Sequence, residues 1–375
     1  MLLHSRSICL LACAASFTIA QAQAPAADSS IKLNQIQVIG THNSYHAGIA
    51  PNESKLWQAK YANAYKGLDY QHQPLEQQFD SGVRQIELDI FGDSKGGLYA
   101  HPSGPKTVAA AQLPADPEFD PEGLMAKPGF KVMHVQDVDY RSTCQPLTGC
   151  LERIRQWSHA HPGHIPIFIL IETKEKEPES KIHLTEPQPF TSKAFDALDA
   201  EIRSVFPPEE LITPDDVRGH YETLNQAVLA GNWPTLANAR GKVIFLMDQQ
   251  HVGPIYLEGH PSLRGRVLFT NAKPGEPDAA FIERNDGPAA DIEELVRKGY
   301  LIRARTDSDT KQARVNDTST RDAMMASGAQ LLSTDYPVNE PARWDGHYVV
   351  TLPGNVVARC NPIDAPATCN ADALK

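Results

Sequence analysis

Residues 36–45 read IQVIGTHNSY. A mostly apolar, β-branched run stops at Gly40 and then presents Thr41, His42 and Asn43. Four later segments repeat the scheme. RQIELDIF (84–91) carries Glu87 and Asp89, KVMH (131–134) ends on His134, IFILIETK (167–174) ends on Glu172 and Lys174, and LIRARTD (301–307) carries Arg303, Arg305 and Asp307. If these are neighbouring parallel strands, two histidines, one amide and at least three carboxylates meet at one end of a barrel, the end where this architecture builds its sites.

The connections support that arrangement. PLEQQFDSG (74–82) offers Pro74 at a helix start, Leu75 and Phe79 on one face, and Gly82 as a stop, with a strand directly after. The same order recurs around Gly241, Gly299 and Gly328, each separating a helical pattern from a short β-rich run. Eight strands are expected at 34–42, 84–91, 131–134, 165–172, 243–248, 266–271, 301–307 and 329–337. The expected fold is therefore α/β, a TIM-type (β/α)8 barrel with room for distortion. Residues 94–130 and 174–189 read as loops over its C-terminal mouth; 45–73 could cross it too, although a surface helix and loop is the preferred reading there. KAFDALDAEIRSVF (193–206) sets Phe195, Leu198, Ile202 and Val205 at helical spacing. A two-domain α/β arrangement finds no linker to support it.

At the N-terminus, Arg6 precedes an apolar stretch from Ile8 to Ala20 that ends in Ala22-Gln23-Ala24. Residues 1–24 thus read as a cleaved signal peptide, and the mature chain is expected to be secreted or periplasmic. A rival lipoprotein reading places the modified thiol at Cys13, after a very short apolar run. Residues 25–33 read as a tether, 34–337 as the barrel and 338–375 as an extension. Four cysteines survive processing: Cys144, Cys150, Cys360 and Cys369. Two disulfides are expected, and among the three pairings short spacing favours Cys144 with Cys150 and Cys360 with Cys369, the second stapling a C-terminal hairpin. The formal charge is −11, becoming −12 without the signal. Such a surface repels nucleic acid and anionic lipid at long range and attracts divalent cations.

Glu87 and Asp89, two apart on a strand, project to the same face. Inside a barrel that face is the lumen, where like charges repel unless something positive sits between them. With Glu172 in the same layer and the Asn43 carbonyl, they form a set of hard oxygen donors suited to Ca2+ at about 2.3–2.6 Å. No thiolate lies near, which disfavours zinc.

GTHNSY, the ELD of the second strand, the His of the third and the Glu of IET in the fourth resemble, in order, the catalytic half of the calcium-dependent phosphoinositide-specific phospholipases C, above all the small secreted bacterial members. The strong motifs span residues 36–174. The resemblance implies active-site roles for His42, Asn43, Glu87, Asp89, His134 and Glu172, with Asn43, Glu87, Asp89 and Glu172 as calcium ligands. His101, in LYAHPSG, competes with His134; closure of an apolar run and the VQDVDYRSTC segment that follows favour His134. The calcium-independent enzymes of the superfamily put a basic residue in place of the metal and lack the ELD triplet, so they fit less well.

The chemistry implied is attack by a substrate hydroxyl on its own phosphodiester, giving diacylglycerol and a cyclic inositol phosphate. Glu87 would act as base, His42 or His134 as acid, and Lys174 and Arg303 as phosphate or ring-hydroxyl contacts. A glycerophosphodiester phosphodiesterase is the alternative on the same barrel, although its first His is typically followed by Arg where Asn43 stands here. Expected partners are a phospholipid or inositol phosphodiester and a transient membrane surface, with the protein a monomer and no nucleic acid involved.

Overall fold

The computed structural model describes residues 30–175, 184–370 and 374. Its strands are β1 (Ile36–Thr41), β2 (Gln85–Phe91), β3 (Lys131–Val132), β4 (Ile167–Thr173), β5 (Leu211–Ile212), β6 (Val243–Met247), β7 (Leu268–Phe269), β8 (Phe281–Glu283), β9 (Leu301–Arg305), β10 (Leu331–Thr334) and β11 (Ala358–Cys360). Starting from β1, parallel pairing runs through β2, β4, β6 and β7 in one direction and through β10, β9 and β8 in the other. Between β7 and β8 a single parallel bridge, Asn271 with Phe281, completes the ring. Eight parallel strands thus form a TIM-type barrel, distorted at that thin seam.

One strand of the expected eight is replaced. The 131–134 segment is not a wall strand: β3 pairs antiparallel with the end of β2, Ile90 facing Val132 and Phe91 facing Lys131. The eighth wall strand is β8, whose three residues are too short for a hydrophobic period to register. His134 therefore sits in a tight loop beyond a ribbon, held by reciprocal backbone bonds between Val135 and Asp139 at 2.9 and 3.0 Å.

Strands of a closed sheet are covered on both faces, and all seven residues of β2 are buried, the two acids included. Outside the ring, the helix Ser192–Val205 packs Phe195, Leu198 and Ile202 inward, and Leu147–Ala160 buries Leu151, Ile154 and Trp157. Gly241, Gly299 and Gly328 all take positive φ, at +74°, +92° and +81°, where a helix hands over to a strand. The loop after β2 builds a small second core from Phe91, Tyr99, Met125, Met133 and Tyr140.

Both favoured disulfides are present, Cys144–Cys150 and Cys360–Cys369. The C-terminal segment is not the expected hairpin. Instead β11 pairs antiparallel with residues 36–38 of β1, before β2 joins that strand at Gly40. At the other terminus, residues 1–24, read as a signal, and residues 25–29 lie outside the described residues; Ile31 and Leu33 are fully buried, so the chain is anchored from there. Among the described residues no helix is long and apolar enough to cross a membrane.

Gly40 sets the distance between β1 and β2. A Cβ there would stand 2.7 Å from the Cβ of Gln85, its buried partner across the ladder. Because a strand backbone can relieve such a contact only by moving, Gly40→Ala is expected to cost about 1–3 kcal/mol of stability, read as a lower urea midpoint at unchanged slope.

Candidate active site

The end of β1 is fixed before any chemistry is considered. Asn43 takes a left-handed conformation, φ +46°, which asparagine tolerates better than most residues and which turns the chain so that consecutive side chains reach the barrel mouth. Ser44 then clamps this turn to β2: its backbone N–H donates to the Glu87 carbonyl at 3.0 Å, and its hydroxyl accepts from the Glu87 N–H at 2.8 Å. Gln78, on the helix Leu75–Asp80, donates to the Ser44 carbonyl at 2.7 Å and accepts from the Thr41 hydroxyl at 2.8 Å.

Register brings the acids together. Asp89 on β2 lies opposite Glu172 on β4, with Glu87 one pleat below. One carboxylate oxygen from each of Glu87, Asp89 and Glu172 falls within 4.8 Å of the others. The repulsion between them is relieved first by the chain's own cations. Lys174 donates to Asp89 at 2.8 Å and to Glu172 at 2.7 Å, while Arg303, fully buried on β9, pairs with Glu87 at 2.5 Å and with Glu283 at 2.9 Å. The positive charge that the sequence calls for is thus supplied in part by the chain itself: a lysine and an arginine already share the task.

The imidazoles are each oriented by a buried carboxylate. His42 places Nδ1 2.8 Å from Asp335, just after β10, and directs Nε2 toward Glu87 at 3.7 Å. Burial, with Arg305 and Arg303 adding to it, holds His42 well below the ordinary imidazole range, so the ring is neutral, with Nδ1–H donated to Asp335. His134 places Nδ1 2.8 Å from Asp139. His101, its sequence competitor, is exposed. Burial pushes the Glu87 carboxyl up to about 7, against the pull of Arg303. Glu172 goes the other way: burial would raise it, but Lys174 more than compensates and its carboxylate is favoured.

All six residues singled out by resemblance, and Lys174 and Arg303 with them, thus gather at the C-terminal mouth. Residues 31–362 match the family model described as Phosphoinositide phospholipase C, Ca2+-dependent. The chain belongs to that family.

The structural relatives agree with the fold. A calcium-dependent phosphoinositol-specific phospholipase C from Pseudomonas sp. superposes with a TM-score of 0.51 at 16% identity, over 90% of this chain and 98% of that one. Its myo-inositol complex gives 0.51 at 17% identity over the same shares. The Ca2+-dependent phosphatidylinositol-specific enzyme of Streptomyces antibioticus gives 0.49 at 20%, over 81% and 94%. Among curated proteins, no sequence matches the chain. As a phosphoinositide phospholipase C, the protein is a calcium-dependent phosphoric diester hydrolase acting on phospholipid.

The donor set fits the calcium that the family requires. Glu87, Asp89 and Glu172 converge as three carboxylates with no sulfur among them. The Asn43 amide lies beside them, accepting from the Tyr70 hydroxyl at 2.8 Å and donating to the two Asp89 oxygens at 3.1 and 3.2 Å. Turned over, the amide would add its oxygen to this set of hard donors.

Several members of this phospholipase site were missed from sequence. Asp335 and Asp139 orient the imidazoles, Tyr70 holds Asn43, and Asp248 and Glu283 extend the acid cluster beside Arg303. Arg305, expected at the mouth with Arg303, donates to Asp335 at 3.2 Å. Asp335 and Asp248 end apolar strands in STDYP and IFLMD, and that position was the available signal. Tyr70 and Asp139 sit in loops and gave none.

Burial raises the Glu87 carboxyl to about 7 in the metal-free cluster; if this carboxylate is a calcium ligand, binding near neutral pH should release a proton. The apparent calcium affinity should fall toward tenfold per pH unit below about 7. Calorimetry in buffers of differing ionisation enthalpy measures both effects.

Proposed function

We propose that the protein cleaves phosphatidylinositol-type lipids to diacylglycerol and a cyclic inositol phosphate, the latter open to hydrolysis in a second step. The observation that carries this reading is the pair of carboxylate-anchored imidazoles, His42 on Asp335 and His134 on Asp139, flanking one cluster of hard oxygen donors. Asn43, Glu87, Asp89 and Glu172 would hold calcium, which when bound supplies charge neutralisation at the phosphoryl oxygens and lowers the pKa of the attacking hydroxyl.

The remaining work falls to side chains. A ring hydroxyl adjacent to the phosphate attacks phosphorus, and Glu87 takes its proton. As the bond from phosphorus to the glycerol oxygen breaks, His134 donates a proton to the departing alkoxide. Both imidazoles have a carboxylate behind Nδ1, so the choice rests on what else surrounds them: burial, with Arg305 and Arg303 adding to it, disfavours a cation on His42. His42 is left to orient the nucleophile and stabilise the phosphorane. Lys174, whose side chain is partly exposed at the mouth, is the phosphate or ring-hydroxyl contact. Arg303 was expected to share that role; packed between Glu87, Glu283 and Ser333, it suits the different task of fixing the base in place.

Export is part of the same reading, supported by the two disulfides and the N-terminal apolar stretch. The protein works as a monomer that meets the lipid surface transiently.

Two measurements test the reaction. Phosphatidylinositol should yield inositol phosphate with calcium and lose that yield in chelator, while glycerophosphocholine gives no product; glycerol phosphate without inositol phosphate would reverse the assignment. His134→Ala should lower kcat on phosphatidylinositol by about 10²- to 10⁴-fold, yet much less on an inositol phosphodiester with a nitrophenol leaving group, which needs no protonation. An equal loss on both substrates would remove His134 from the acid role.

A further inference from the structure

Behind the reacting groups lies a histidine with no part in the chemistry above. His46 follows the first strand's turn and is fully buried. Its Nε2 lies 2.8 and 2.9 Å from the two oxygens of Asp139, the same carboxylate that holds Nδ1 of His134 at 2.8 Å. Both acceptors being carboxylate oxygens, Nε2 carries the hydrogen. Among the described residues Nδ1 of His46 has no hydrogen-bond partner, so Nε2–H is the ring's one bonded donor.

We propose that His46 is a positioning residue for the reaction, acting through Asp139 on His134. The inference rests on the reading of His134 as proton donor. Asp139 closes the three-residue turn 136–138, bridged to Val135, and among the described residues no backbone N–H donates to its carboxylate, so two imidazoles supply the direction it faces. Without His46 the carboxylate keeps only the His134 contact and can rotate with it. With His46 it is gripped across both oxygens, and the His134 ring is aimed. His46 is in turn seated by Tyr70, with ring centroids 4.5 Å apart, and the His134 ring stands edge-on to it at 6.0 Å. Tyr70 is the residue that holds Asn43, so one packed column connects the metal-facing amide, His46, Asp139 and His134.

A core histidine retained for packing alone would make the same contacts with Tyr70, and the test must separate the two roles. His46→Met and His46→Gln have nearly equal length and differ in the one N–H that reaches Asp139. His46→Phe keeps a ring against Tyr70 and serves if His46→Met does not fold. Each change is made in the wild-type and the His134→Ala background, with kcat and KM measured on phosphatidylinositol at saturating calcium, together with calcium affinity and thermal midpoint. Positioning requires that His46→Met, or His46→Phe, lower kcat by about 10- to 100-fold with KM and calcium affinity within about twofold of wild type. It further requires that His46→Gln recover most of the loss, and that the donor-lacking change cost less than about twofold once His134 is absent. Equal costs in the two backgrounds, or a Gln variant no better than its apolar twin, would overturn the inference while leaving the acid role of His134 intact. A His134→Ala enzyme as active as wild type would instead overturn the underlying reading, and this inference with it.

Discussion

Charge balance inside a nearly dry lumen governs this molecule. Glu87, Asp89 and Glu172 stand on adjacent strands whose register leaves them no way to separate, and burial works against all three carboxylates. The fold answers by delivering Arg303 from the opposite wall and Lys174 from the end of β4, so that each acid has a partner before any ligand arrives. Arg303 also neutralises Glu283 and takes up the hydroxyl of Ser333, tying β2, β8, β9 and β10 across the ring. The acids proposed to hold calcium are thus kept in a state that is electrostatically tolerable without metal and still suited to a divalent ion.

The site is assembled from two kinds of element, with different rigidity. Glu87, Asp89, Glu172, Lys174 and Arg303 ride on strands or their ends, where the ladder dictates position. His134 and Asp139 belong to the loop that follows the β3 ribbon, outside the wall. That loop has its own anchors: the small core around Phe91, Tyr99 and Met133 beneath it, and the Cys144–Cys150 link a few residues on. Precision at His134 accordingly depends on side-chain contacts rather than on sheet geometry.

What could be read from sequence follows the same division. Strand-borne groups announced themselves, because an apolar run ending in Glu, Asp or His at a barrel rim has few structural explanations, and GTHNSY, ELD and IET lie close enough to a family pattern to carry residue roles with them. The barrel itself was legible from recurrent helix, glycine and strand. Illegible were features with no period: β8 has three residues, β3 mimics a wall strand while running antiparallel, and the carboxylates behind the imidazoles meet them only in space. Asp335 lies 293 positions from His42, and no spacing rule joins them. The role expected of Arg303 changed because sequence shows a cation near an acid and says nothing of how deep the pair lies.

The first strand is flanked by the last ones. β1 pairs with β10 along one edge and with β11 at its start, so the segment that presents His42 and Asn43 is laid between pieces of chain made some three hundred residues later. A nascent chain that has not reached residue 331 lacks the β10 neighbour of β1, and its ring of eight strands is incomplete until then. The β11 partner of residues 36–38 follows later still. This topology ties the presentation of His42 and Asn43 to the arrival of nearly the whole chain.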